Sequence, residues 1–130
     1  WTSVKISKET RDFLQACELM HEFENFTIVH SSPVNPAAWD YILSIDDAIE
    51  NFPHINTRCC FIGHSHVPVI ISKSAHEQIQ VQRMNNMVLQ EESKYIINIG
   101  SVGQPRDLDP RAAFAVFDDE TFSYELHRVK

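Results

Sequence analysis

The 130-residue sequence predicts an α/β fold of the α+β kind, a mixed sheet with helices packed on one face. Three observations predict it. Two segments with polar caps and helical apolar spacing lie in the first half of the chain, each is followed by a short apolar strand, and from Val67 onward the texture changes to strands separated by turns. The length suits one compact unit over residues 1–130, enough to bury a real core.

Ser7 caps the first helix, expected over about residues 8–22, because Phe13, Leu14, Cys17, Leu19 and Met20 fall largely on one face. Phe26 to Val29 is a β-branched and aromatic strand that stops at His30, and Ser31, Ser32, Pro33, Asn35 and Pro36 form the loop behind it. Trp39 to Leu43 reads as a short helical or irregular packing segment. Ser44 then caps a second helix through Asp46, Asp47, Ala48 and Ile49, which ends before Pro53. Arg58 to Ile62 is a continuous apolar strand, buried on both faces, with Gly63 at the turn that ends it. Strands follow at Val67 to Ser72, Ile79 to Arg83, Met87 to Gln90 and Tyr95 to Ile99, with a turn at Asn85 and Asn86. Gly100 to Pro110 is a loop. Ala112 to Asp118 and Phe122 to Val129 form a closing hairpin about Asp119 to Thr121.

A formal charge of −7, with eleven basic residues scattered along the chain, argues against a nucleic-acid or anionic-membrane surface. No apolar stretch approaches the roughly 18–20 residues of a membrane span, and no basic-then-apolar leader opens the chain. Cys17, Cys59 and Cys60 are odd in number and show no CxxC spacing, so neither a disulfide framework nor a zinc knuckle is indicated. A soluble, cytoplasmic protein is the expectation. The chain opens on Trp1 rather than Met, with a helix cap only six residues later, and so reads as cut from something longer.

His64 and His66 stand one residue apart behind the strand that Gly63 ends. In an extended segment both imidazoles would lie on the same side and reach one metal cluster. Alone, such a pair is a common coincidence on a solvated turn. His30, however, also stands directly behind an apolar strand, and adjacent parallel strands would bring all three together. His21 and His54 near helix ends, His76 in a hairpin region and His127 in the last strand read as structural or exposed residues.

Phe61-Ile62-Gly63-His64-Ser65-His66-Val67-Pro68 is similar to the GHxH block of calcineurin-like metallophosphoesterases. Asn98-Ile99-Gly100-Ser101-Val102-Gly103-Gln104-Pro105-Arg106-Asp107 resembles the NPGSVGQPRD loop of their small bacterial and archaeal members, and His30-Ser31-Ser32-Pro33 looks like their HGSP element. Order and spacing agree, so the resemblance runs from Trp1 to Lys130. Ser31 stands where that family has Gly, and Ile99 where it has Pro.

The resemblance implies an αββα sandwich of which this chain is the C-terminal half. It implies two divalent metal ions, of Mn, Fe, Zn or Ni, with His30 and His64 on one and His66 on the other. The family's bridging Asp, further Asp and His ligands, Asn ligand and His acid have no match here, so an N-terminal half would supply them. Activity would then be hydrolysis of phosphate mono- or diesters. Arg106, with its planar fork, and the Gly100 and Ser101 backbone would meet the substrate phosphate. The simpler expectation for Arg106 is that it pairs with Asp107 and pins the loop.

The competing reading is a non-catalytic chain that binds metal weakly and serves in protein interaction. A nucleotide-binding module is set aside, because no glycine-rich phosphate loop lies between a strand and a helix. Half a sandwich would leave a sheet face uncovered, so the isolated chain is expected to be inactive and to dimerise or aggregate.

Overall fold

A computed structural model describes residues 2–130; Trp1, where the family resemblance begins, lies outside the described residues. Helix α1 spans Thr2–Lys5 and α2 spans Lys8–Ala16. Ser7 Oγ accepts the Thr10 amide at 3.2 Å and so starts α2 as expected. The helix is shorter than its apolar spacing suggests. Cys17 turns extended, and Met20–Glu22 form strand β1 rather than a last helical turn. Strand pairing overrides the helical pattern here, because β1 lies antiparallel on β2 (Phe26–Val29), with His21 opposite Ile28, and the Phe23 amide donates to the Phe26 carbonyl to close the hairpin.

The remaining strands of the first sheet are β3 (Cys59–Ile62), β4 (Val69–Lys73), β5 (Ile79–Gln82) and β7 (Lys94–Asn98). Their order is β1-β2-β3-β7-β4-β5, with β2, β3 and β7 parallel and the others antiparallel. The mixed sheet predicted from sequence is therefore present. Between β2 and β3 runs α3 (Ile45–Asn51), begun by a full capping box in which Ser44 Oγ accepts the Asp47 amide and the Asp47 carboxylate accepts the Ser44 amide. Residues 36–38 make a short 3-10 turn and Trp39 to Leu43 are irregular.

Alternation along the strands divides the core in two. Cys60, Ile62, Ile71 and Ile96 face α3 and bury against Ala48, Phe52 and Ile55. Cys59, Phe61, Ile70, Tyr95 and Ile97 face the other way and bury against Leu89 and Tyr124. The second layer belongs to a smaller sheet of β6 (Asn86–Val88), β8 (Ala112–Asp118) and β9 (Ser123–Val129), ordered β6-β9-β8 and antiparallel throughout. Of the turn expected at Asn85 and Asn86 only Asn85 bends; Asn86 already begins β6, and the chain crosses here from the first sheet to the second instead of folding back as a hairpin. β3 is buried on both faces because a helix layer covers one and a sheet covers the other.

Candidate metal centre

Parallel pairing of β2 and β3 puts their C-terminal ends at one edge of the sheet, and the Gly63 amide donates to the His30 carbonyl at 3.0 Å. His30 and His64 meet there, with ring centroids 5.3 Å apart. Trp39 closes the group, its ring 5.2 Å from that of His30 and 5.8 Å from that of His64, while Tyr41 stacks on His64 at 4.0 Å. Nothing in the sequence marks Trp39 and Tyr41 as neighbours of a histidine more than twenty residues away.

The backbone of the turn differs from the extended segment expected. His64 and His66 both have positive φ, 61° and 63°, and the Ser65 amide donates to the Gly63 carbonyl at 2.7 Å across His64. That is a tight three-residue turn, an uncommon and strained conformation for a residue with a Cβ. Gly63 itself does not need its freedom: a Cβ there would make only ordinary contacts with His30, at 3.6 Å or more. Ser31 likewise avoids positive φ, and its Oγ donates to the Pro36 carbonyl at 3.1 Å, so serine fits where the similar family has glycine.

Each histidine of the turn is held by a backbone carbonyl. His64 Nε2 lies 2.8 Å from the Trp39 oxygen and His66 Nδ1 lies 2.8 Å from the Gln104 oxygen. A carbonyl only accepts, so both ring nitrogens must be protonated, which leaves the lone pair of the neutral ring on Nδ1 of His64 and on Nε2 of His66. His30 is exposed overall, yet partial burial of its ring holds its pKa below the ordinary imidazole value, and the charges that His64 and His66 would carry lower it further. Neutral imidazoles with fixed tautomers are what a divalent ion requires of nitrogen donors.

These residues fit part of a donor set. Among the described residues no three His, Cys, Asp or Glu side chains come close enough to hold an ion by themselves. Cys59 and Cys60 offer nothing, because burial pushes both thiols up, that of Cys59 to about 12.

The loop behind β7 is arranged differently from expectation at its charged end. Asp107 pairs with Arg128 of β9 rather than with Arg106, and Asp109 pairs with Arg111 at 2.6 Å. Arg128 is a large, preorganised donor already fixed in the second sheet, and the two side chains are each only 13% exposed. Arg106 donates to the Gln104 side chain at 3.0 Å, stays exposed, and has no carboxylate partner among the described residues. The Gly100 amide donates to Asn98 Oδ1 at 2.9 Å and Ser101 Oγ accepts the Gln104 amide at 3.0 Å, so both residues shape the loop from within.

No family model matches the chain. It is 34% identical over 137 residues to an uncharacterized protein of Methanocaldococcus jannaschii, an alignment that covers all of this chain and 53% of that protein. It is also similar to the crystal structure of a metallophosphoesterase from Sphaerobacter thermophilus, with a TM-score of 0.89 and 35% identity over 100% of this chain and 55% of that one. The chain has the fold of the corresponding part of a metallophosphoesterase. It spans about half the length of each of these proteins.

Proposed function

We propose that this chain is the C-terminal part of a calcineurin-like metallophosphoesterase domain, and that the intact protein hydrolyses phosphate mono- or diesters. The observation that carries this reading is the meeting of His30 and His64 at the ends of neighbouring parallel strands, beside a His66 held in one tautomer by Gln104. The likeness to a metallophosphoesterase structure supports it.

In this reading His30 and His64 hold one divalent ion and His66 the other. The ions, when bound, supply Lewis acidity at the phosphoryl group and a nucleophilic water at neutral pH. The Trp39 and Gln104 carbonyls fix which nitrogen of each neutral ring carries the lone pair, and aim it. Exposed Arg106, with no carboxylate partner among the described residues, would neutralise substrate phosphate at the rim, while Gly100 and Ser101 shape the loop that presents it. The remaining ligands would come from the N-terminal half of the same domain. We propose a cytoplasmic placement from the three free thiols; among the described residues no helix is long and apolar enough to cross a membrane.

The test is an assay of the intact protein on an aryl phosphate monoester and an aryl phosphodiester with added Mn²⁺. Metal-dependent turnover of one ester class, abolished by His64→Ala, is expected. Absence of turnover on both classes in protein shown to bind the metal would overturn the enzymatic reading and favour a non-catalytic, interaction-only role.

A further inference from the structure

Asn98 is a polar residue at the end of an apolar run, Tyr95-Ile96-Ile97, and it is fully buried. Its position explains why it is not another isoleucine. β7 lies between β3, which leads into the histidine turn, and β4, which leads out of it, and Asn98 pairs with Ile62 on one side and Val69 on the other. Its side chain therefore sits directly beneath the turn.

Every hydrogen-bonding capacity that matters there is used. Nδ2 donates to the Gly63 carbonyl at 2.5 Å and to Ser65 Oγ at 2.9 Å, while Oδ1 accepts the Gly100 amide at 2.9 Å. The opposite amide orientation would set oxygen against the Gly63 carbonyl and N–H against the Gly100 amide, so the orientation follows from its partners. One side chain thus clamps both neighbours of His64, whose positive φ needs surroundings that enforce it.

The same side chain reaches the second loop. Gly100, at φ 81°, packs so closely on Pro68 and Ala113 that a Cβ would come within 2.8 Å and 2.9 Å of them. From there Ser101 Oγ holds the Gln104 amide, and the Gln104 carbonyl holds His66. The Arg106 amide closes the circuit on the His66 carbonyl at 3.3 Å.

We propose that Asn98 is a positioning residue that sets His64 directly and His66 through the Gly100–Gln104 loop, so that both imidazoles are presented with fixed tautomer and aim. Its consequence for metal binding rests on the metal-centre reading above; its effect on the imidazoles does not.

The experiment compares the intact wild-type protein with Asn98→Leu, which is close in shape and adds no charge, with Ser65→Ala, and with Thr57→Val. The last removes one hydroxyl of the buried Thr27–Thr57 pair, 2.8 Å apart, at the opposite end of β3, and serves as a purely structural lesion. Two quantities are read: the His64 tautomer by ¹⁵N NMR in metal-free protein, and the Mn²⁺ dissociation constant by calorimetry. Asn98→Leu is expected to lose the single Nε2–H tautomer of His64 and to weaken Mn²⁺ binding about 10–100-fold, the usual effect of removing a partner that orients a ligand. Thr57→Val is expected to change neither.

Wild-type tautomer and affinity in folded Asn98→Leu overturn the proposal. If Asn98→Leu does not fold, Ser65→Ala decides: a mixed tautomer with several-fold weaker binding supports it, and unchanged values overturn it. Should the wild-type protein bind no Mn²⁺, the metal-centre reading fails, and the tautomer comparison still judges Asn98.

Discussion

His64 and His66 each give one ring nitrogen to a backbone carbonyl, and that single contact decides which nitrogen remains for a ligand. Among the described residues His30 has no such clamp; partial burial, and then the charges the neighbouring imidazoles would carry, lower its pKa and favour the neutral ring. Because its folded-state pKa lies below the ordinary value of 6.5, the unfolded chain takes up a proton more readily than the folded one. The stabilising contribution is therefore complete above pH 6.5 and is lost as pH falls toward and through the lowered value. Urea unfolding of the metal-free protein between pH 8 and pH 5 should show this loss, and His30→Asn should remove that part of the slope. Gly100, like Asn98, has its identity dictated by its surroundings. Gly100→Ala adds a Cβ 2.8 Å from Pro68 at a φ of 81°, and is expected to cost about 2–3 kcal/mol in denaturant unfolding.

At the scale of elements, the Gly100–Pro110 loop is tied to the second sheet by the Asp107–Arg128 pair, with Asp109 and Arg111 adjoining. Breaking a mostly buried pair strands a charge, so Arg128→Ala should cost about 3 kcal/mol, read as a shift in urea midpoint without a change of slope. Local sequence shows much of the architecture. The Ser44 capping box, the doubly buried β3 and the β8–β9 hairpin all follow from patterns a few residues long. What such patterns miss is partnership. Leu19 and Met20 continue a helical stripe, yet β1 forms because β2 offers an edge to pair with. Asp107 follows Arg106 in the chain but finds Arg128 across it. The histidines were visible as strand-end residues, whereas their positive φ values and the Trp39, Tyr41 and Gln104 contacts depend on segments brought together only by the fold.

At the scale of the molecule, the two sheets bury a common core, but apolar surface is left facing outward. Phe114, Val116 and Val129 are exposed on the outer face of the second sheet, and Phe13 and Leu14 on α2. An open β8 edge beside such a face is a template for pairing with another chain. The isolated 130-residue chain is accordingly expected to elute as a dimer or larger species in sizing chromatography, and a monodisperse monomer would contradict this. If His30, His64 and His66 are metal ligands, calorimetric titration of the intact protein with Mn²⁺ reads their contribution without any assumption about substrate. Two bound ions per protein are expected, with His64→Ala weakening at least one of them about tenfold or more. Equal affinity and stoichiometry in wild type, His30→Ala and His64→Ala would contradict it.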